Sequence, residues 1–156
     1  MVIRGFGVRR FILIALIVIA ILIMIIIPKW VISSPDLVSP HPRIGRDQIH
    51  FYADKVIIDV KNPQWAMFAD TNSMDPVFDA GHYAVEVVPQ QVSDIHVGDI
   101  VSYESASSDT ALVHRVMSIG DDGEWYAVIK GDNNLVSDPG KVRFSQIRRV
   151  IAVIIY

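Results

Sequence analysis

The chain contains no cysteine. It therefore forms no disulfide bond, and it offers neither a thiolate zinc site nor a cysteine nucleophile. Nucleophilic chemistry, if the chain performs it, falls to other side chains, and the serine and threonine hydroxyls gain interest. The absence of cysteine is compatible with any redox compartment, so it does not locate the protein.

Positive charge is scarce beyond the first 30 residues. Four of the 14 basic residues and none of the 17 acidic residues lie in 1–30, so the rest of the chain carries ten basic and 17 acidic side chains. Such an acidic domain without a basic stripe argues against a nucleic-acid partner. It also argues against electrostatic docking on an anionic lipid surface. The length of 156 residues allows one small domain.

One long apolar run stands near the start of the chain. Residues 11–27 are all apolar, and as a helix they would extend about 25 Å, near the lower limit for crossing a bilayer. Arg4, Arg9 and Arg10 precede the run and no positive cluster follows it. The positive-inside rule then predicts a single-pass anchor in the cell membrane, with the N-terminus cytoplasmic and the residues after about 33 on the outer face.

A cleaved signal peptide is the alternative interpretation of this run. Its apolar region would be shorter, and a small-x-small cleavage site would follow it. The flank Pro28-Lys29-Trp30-Val31-Ile32 contains no such site. The sequence therefore favours an uncleaved transmembrane helix.

The rest of the chain reads as a linker followed by a strand-rich domain. Four of the eight prolines lie within residues 28–47, which is typical of an extended linker. We predict an anchor with its cytoplasmic tip over 1–32, a juxtamembrane linker over 33–52 and an extracytoplasmic β domain over 53–156. Short β-branched runs between turn signals predict a mainly β fold, with strands at 56–60, 65–69, 83–88, 99–103, 111–119, 125–129 and 150–155.

Three segments carry side chains that could perform chemistry. Ser73 follows an apolar strand in a polar turn, where a serine is usually a turn or cap residue. His114 lies within an apolar strand, where a histidine is either a core residue or a general base. The loop 130–139 offers Asp132 and Asp138, either of which could orient such a histidine.

The same loop has a second interpretation as a calcium site. Asp132, Asn134 and Asp138 fall at positions 1, 3 and 7 of an EF-hand-like loop. Position 6 is Ser137 instead of glycine, and position 12 is Arg143 instead of glutamate. The pattern therefore does not support bound calcium, and no other metal or cofactor is expected.

Five motifs occur in an order that resembles type I signal peptidases, and most closely their archaeal and endoplasmic-reticulum branch, in which histidine replaces a catalytic lysine. The similarity extends over roughly residues 65–155. Its motifs are Ser73-Met74-x-Pro76 with Gly81, Gly98-Asp99-Ile100-Val101, His114-Arg115-Val116, Lys130-Gly131-Asp132-Asn133-Asn134 and Asp138-Pro139.

The resemblance implies a signal-peptidase-like β catalytic domain and a role for each residue. Ser73 matches the nucleophile, His114 the general base and Asp138 the third catalytic residue, with Asp132 as the second candidate for that place. The Thr71 hydroxyl and the Ser73 N–H match the oxyanion donors. The family removes signal peptides from exported preproteins, so preproteins, the lipid bilayer and accessory subunits are the implied partners.

The sequence departs from the family pattern at two points. Asn72 stands where glycine is usual, and His82 follows Gly81 where aspartate is usual. Neither change removes a catalytic residue. Three alternatives stay open at this point: a processing peptidase for a narrower set of surface proteins, an inactive membrane-anchored binding module, and a self-cleaving Ser/Lys protease, which would need a lysine base.

Overall fold

The computed structural model describes residues 12–22, 37–105, 108 and 110–156. Contacts divide the chain into two units, Met1–Leu37 and Val38–Tyr156. In the first unit residues 12–22 form an α-helix. Among the described residues, none of the helices has both the length and the apolar character needed to cross a bilayer, so the predicted transmembrane helix is not supported. The other residues of the predicted anchor, 1–11 and 23–32, lie outside the described ones.

The described residues of the second unit form nine strands and three short 3₁₀ helices. The 3₁₀ helices are Arg46–Gln48, Val92–Asp94 and Phe144–Gln146. The strands are β1 (Ile49–Phe51), β2 (Val56–Ile58), β3 (Gln64–Met67), β4 (Tyr83–Val87), β5 (Ile100–Tyr103), β6 (Leu112–Asp121), β7 (Trp125–Lys130), β8 (Val142–Arg143) and β9 (Ile147–Ile155). The predicted mainly β fold is confirmed.

Seven of the strands form one antiparallel sheet, and β1 and β2 form a separate hairpin. The order across the sheet is β3-β4-β9-β5-β6-β7-β8. Strand β9, the last along the chain, therefore pairs with β4 on one side and with β5 on the other. Register shifts occur in both pairings, between Val85 and Glu86 and between Ser102 and Tyr103. Such irregularities increase the local twist of a sheet.

The curled sheet buries apolar side chains on both of its faces. Ile100 and Val101 are neighbours in β5 but belong to different core clusters, because successive strand residues point to opposite faces. Val101 lies opposite His114 of β6, so His114 shares its face with Val101 and Tyr103. This register sets a histidine at the edge of the larger core.

Residues at the start of the second unit pack against the sheet. Asp99, which is fully buried, accepts hydrogen bonds from the backbone N–H of His41 and from the guanidinium of Arg43. Strand β1 begins at Ile49, inside the stretch predicted as linker, 33–52. The division into anchor, linker and catalytic domain stays a prediction.

Candidate active site

Ser73 lies in the connection between β3 and β4, residues 68–82. Met74, the next residue, is almost fully buried in the smaller core cluster, so the turn is fastened to the sheet directly beside Ser73. Asn72 has φ of 54°, a left-handed conformation that glycine adopts most easily and asparagine tolerates better than most residues. The asparagine that replaces the usual glycine therefore still suits this turn.

Ser73, His114 and Asp138 form a continuous hydrogen-bonded chain. The Ser73 Oγ lies 3.0 Å from His114 Nε2, and His114 Nδ1 lies 2.6 Å from Asp138 Oδ2. The His114 and Asp138 side chains are only 8% and 12% exposed. The three residues come from a loop, a strand and a second loop, which is the convergence that nucleophilic serine chemistry requires.

The hydrogen-bond partners of Asp138 and His114 indicate where the protons of these two side chains lie. Burial pushes the pKa of Asp138 upward, but hydrogen bonds from His114 and Tyr103 outweigh burial and leave that pKa below its usual value. An ionised Asp138 only accepts hydrogen bonds, so His114 carries its proton on Nδ1. His114 Nε2 is then free to accept the proton of the Ser73 hydroxyl, which is the task of a general base.

Thr71 stands beside the Ser73 hydroxyl. Its Oγ1 lies 3.0 Å from Ser73 Oγ, and the Ser73 backbone N–H donates to the same Thr71 oxygen at 3.4 Å. The two groups predicted to stabilise an oxyanion are therefore neighbours in space. To stabilise the charge that develops on a carbonyl oxygen under attack, both groups would redirect these hydrogen bonds to that oxygen.

Asp132 is not part of this hydrogen-bonded chain. It forms a bidentate salt bridge with Arg115, with its Oδ1 accepting from Nε at 2.8 Å and its Oδ2 accepting from the terminal nitrogen at 2.7 Å. Both side chains are nearly inaccessible. Arg115 also donates to the carbonyl oxygens of Gly98 and Val38. The geometry therefore gives Asp132 a structural partner and leaves the histidine to Asp138.

The same geometry bears on the calcium interpretation. Asp132 is engaged by Arg115, and Asp138 is engaged by His114 and Tyr103. The two carboxylates therefore do not converge on one point. Among the described residues, no group of three His, Asp or Glu side chains is arranged to hold a metal ion.

The loop after β7 holds the backbone of the turn around Ser73, which is called the nucleophile turn after the role predicted for that serine. Asn133 donates its backbone N–H to the Ser73 carbonyl at 3.0 Å and its side-chain amide to the Asn72 carbonyl at 2.9 Å. Gly131 lies so close that a Cβ atom there would stand 2.6 Å from the Ser73 carbonyl oxygen. The close approach accounts for glycine at this position.

A cleft of about 280 Å³ opens beside the Ser73 hydroxyl. Its walls come from the end of β3, the nucleophile turn and the start of β6. Phe68 and Phe78 stack at 3.7 Å between ring centroids to form its apolar floor. The lining residues are Met67, Phe68, Ala69, Thr71, Ser73, Phe78, Thr110, Ala111, Leu112, Val113 and His114. Ligand sites in proteins are commonly clefts of this apolar kind with a few polar groups at one side.

Sequence reasoning missed two residues that contact the acidic groups. Tyr103 donates its hydroxyl to Asp138 Oδ2 at 2.7 Å, and Arg115 holds Asp132. The only signal for Tyr103 was its place on a predicted strand two residues after Val101. The signal for Arg115 was a charged residue inside an apolar strand, since buried charges are paired.

Comparison with known proteins found similarity to a curated signal peptidase subunit. No family model matches the chain. The chain is 33% identical over 72 residues to the signal peptidase complex catalytic subunit SEC11 of Plasmodium falciparum (isolate 3D7). The match covers 45% of this chain and 38% of the length of that relative. Together with the ordered motifs, this similarity supports a type I signal peptidase-like family, in its endoplasmic-reticulum and archaeal branch.

Proposed function

We propose that the protein is a membrane-bound serine endopeptidase that removes signal peptides from exported preproteins. One observation carries the proposal, namely the hydrogen-bonded chain from Ser73 through His114 to Asp138 beside an apolar cleft. The similarity to the catalytic subunit SEC11 supports signal-peptide processing at the level of the family. The substrate and the catalytic roles are the part that needs experiment.

The first half of the proposed reaction forms an acyl-enzyme. His114 Nε2 takes the proton of the Ser73 hydroxyl while Ser73 Oγ attacks the carbonyl carbon of the scissile peptide bond. The negative charge moves to the carbonyl oxygen, where the Thr71 hydroxyl and the Ser73 N–H stabilise it. His114 then gives its proton to the leaving amine, and the peptide bond breaks.

The second half releases the acyl group by hydrolysis. His114 accepts a proton from water, and the water oxygen attacks the ester carbon. The Ser73 oxygen leaves and regains its proton from His114. Asp138 accepts the Nδ1–H throughout, so the imidazole keeps the tautomer that the reaction needs. The residues of the described part of the chain suffice for these steps.

Membrane location is the second part of the proposal. The apolar run and the arginines before it predict an anchor with the catalytic domain on the outer face. An anchor would confine the enzyme and its membrane-tethered substrates to one surface, which raises their effective concentration. The relative is a subunit of a signal peptidase complex, which favours accessory subunits as partners.

The test is cleavage of a radiolabelled preprotein by the full chain in membranes or detergent. Wild type should produce the mature band, and Ser73→Ala and His114→Ala should each lose nearly all of it. Ser118→Ala and His50→Ala are matched controls. Ser118 is an exposed serine on β6, and His50 forms an exposed pair with Asp59 at 3.0 Å, so both variants should cleave like wild type.

The results separate the remaining alternatives. Cleavage that survives Ser73→Ala would refute the proposed nucleophile. A wild type that cleaves no preprotein would favour the inactive binding module, once added membrane subunits also fail to restore activity. A panel of preproteins that differ at the small-x-small positions separates a general signal peptidase from a dedicated processing enzyme.

A further inference from the structure

Tyr103 contacts the hydrogen-bonded series of Ser73, His114 and Asp138, and no motif of the sequence predicts this contact. Its hydroxyl lies 2.7 Å from Asp138 Oδ2, the same oxygen that accepts the Nδ1–H of His114 at 2.6 Å. One carboxylate oxygen therefore takes two hydrogen bonds, one from the proposed base and one from the core of the sheet. The tyrosine itself lies on β5, 35 residues before Asp138.

The two partners differ in how firmly the backbone holds them. Tyr103 is 1% exposed in the larger core cluster, and its strand pairs with Leu112 on one side and Ile147 on the other. Asp138 lies in the loop between β7 and β8, where its backbone N–H donates to the carbonyl of Ile129. The rigid partner is therefore the tyrosine, and the loop residue is the one that needs to be held.

We propose that Tyr103 is a positioning residue, which fixes the carboxylate of Asp138 so that this carboxylate in turn orients His114. The proposal rests on the function proposed above, because it assigns a role within the same site. Tyr103 is not a catalytic residue in this scheme, since its hydroxyl contacts Asp138 and neither the nucleophile nor the cleft.

The physical reason lies in the freedom of an aspartate side chain. The torsion about its Cβ–Cγ bond is broad, so a single hydrogen bond to His114 would leave the carboxylate free to pivot and carry the imidazole with it. A second donor on the same oxygen, fixed to the sheet, removes that freedom. Reactive groups must keep close to the productive geometry, because small displacements in a site cost large factors in rate.

The chemistry of the phenol suits this task. Burial raises the pKa of the Tyr103 hydroxyl, and the hydrogen bond and negative charge of Asp138 raise it further. The hydroxyl therefore keeps its proton at the pH where a serine peptidase works, and it remains a donor to Asp138. A phenylalanine would fill the same space in the core and remove only the donor.

The first experiment measures the kinetics of Tyr103→Phe in the full chain with a preprotein substrate. We expect kcat to fall by roughly ten- to a hundredfold, the range for losing a hydrogen bond to a charged group, with KM changed less than about twofold. The matched control is Tyr126→Phe. Tyr126 lies on β7 and packs beneath the Lys141 ammonium at 4.0 Å, so its kcat should equal that of wild type.

A double-mutant cycle separates positioning from general stability. If Tyr103 acts through Asp138, Tyr103→Phe should cause no further loss in an Asp138→Ala background. A structural role would lower activity equally in both backgrounds. A Tyr103→Phe effect that persists without Asp138, or a kcat equal to that of Tyr126→Phe, overturns the proposal.

A spectroscopic readout tests the proposal without any substrate. With ¹⁵N-labelled histidine, the Nδ1 and Nε2 signals of His114 report its tautomer, and we expect a mixture in Tyr103→Phe where wild type and Tyr126→Phe show the Nδ1–H form. Unchanged signals overturn the proposal.

If Tyr103→Phe does not fold, 3-fluorotyrosine at position 103 keeps the ring and hydroxyl while strengthening the donor. It should then shift the His114 signals and leave those of His50 in place, and a lack of that shift also overturns the proposal.

Failure of the proposed function would be recognised separately. A wild type that cleaves no preprotein but shows the Nδ1–H form of His114, lost in Tyr103→Phe, refutes signal-peptide cleavage and supports the positioning role. If wild type and Tyr103→Phe cleave preproteins equally well, the result supports signal-peptide cleavage and refutes the positioning role.

Discussion

Asn133 donates its backbone N–H to the carbonyl oxygen of Ser73 at 3.0 Å. The loop that delivers Asp138 to the imidazole therefore also holds the main chain of Ser73. One segment, residues 131–138, thus sets the relative position of two members of the proposed catalytic chain.

Gly131→Ala should lower kcat by about a hundredfold. The added Cβ would stand 2.6 Å from the Ser73 carbonyl oxygen, so the nucleophile turn or the loop must move, and displacements near 1 Å cost about this factor. Steady-state kinetics with a preprotein measures the loss. The control is Gly123→Ala, at φ of 103° with open space around it. This variant should lower the unfolding midpoint without changing kcat, and equal effects on kcat would contradict the prediction.

Substitution of the two aspartates of this loop should have different effects, mainly on activity at Asp138 and mainly on stability at Asp132. Asp138→Asn keeps the shape but favours the wrong histidine tautomer, and we expect kcat to fall by roughly 10³- to 10⁴-fold, as in other serine hydrolases. The free energy of unfolding of Asp138→Asn should differ from that of wild type much less than the free energy of unfolding of Asp132→Ala does. Kinetics and urea unfolding on the same protein measure both quantities.

Asp132→Ala should act mainly on stability. The variant leaves the Arg115 guanidinium buried without its carboxylate partner, and breaking a buried pair in this way costs about 3–5 kcal/mol. Urea unfolding should show that loss, while the protein that stays folded cleaves at a rate nearer to wild type than Asp138→Asn does. The reverse pattern, a stable Asp132→Ala without activity, would make Asp132 the third catalytic residue.

Thr71→Val should lower kcat by roughly 10²- to 10³-fold with little change in KM. Valine has the shape of threonine without the hydroxyl, so the variant removes one of the two proposed oxyanion donors, and losses of this size follow the removal of such a donor. Thr71→Ser is the matched control, because it keeps the hydroxyl and should retain most of the activity. Equal activity in Thr71→Val and Thr71→Ser would show that the hydroxyl stabilises no charge.

The stability contributed by Asp138 should disappear in acid. Its pKa is lowered in the folded protein, so its contribution is present above the unfolded-state pKa of about 3.9 and is lost as the pH falls through the folded value. The unfolding free energies of wild type and Asp138→Asn should therefore differ at neutral pH and converge below about pH 4. The urea unfolding is done at high salt. Salt screens the exposed ion pairs of Asp122 with Lys141 and Arg143, so these pairs contribute less to the pH dependence of the unfolding free energy. A difference that is constant with pH would contradict the prediction.

The sequence predicted the large strands of the sheet well, because their apolar runs are long and bounded by turn residues. The prediction 83–88 compares with β4 (Tyr83–Val87), and 125–129 compares with β7 (Trp125–Lys130). Strand β1 (Ile49–Phe51) was missed because it follows a proline-rich stretch that reads as linker. Its three residues are too few to produce a periodic pattern.

The residues of the candidate site could be predicted from the sequence, but several of their hydrogen-bond partners could not. Motif order supplied Ser73, His114 and Asp138, with Asp132 as the second candidate, and the fold adds the partners, with Asp138 at the imidazole and Asp132 at Arg115. Tyr103 was beyond prediction for a related reason. Its contact with Asp138 depends on how the loop after β7 returns to β5, and neither segment encodes that approach locally.

The place of β9 in the sheet has a consequence for the integrity of the candidate site. The turn that carries Ser73 belongs to the β3–β4 side and His114 to the β5–β6 side, and β9 lies between these sides and pairs with both β4 and β5. The sheet is therefore continuous from Ser73 to His114 only through β9. The 3.0 Å approach of the Ser73 hydroxyl to the imidazole depends on this strand as well as on the loop 131–138.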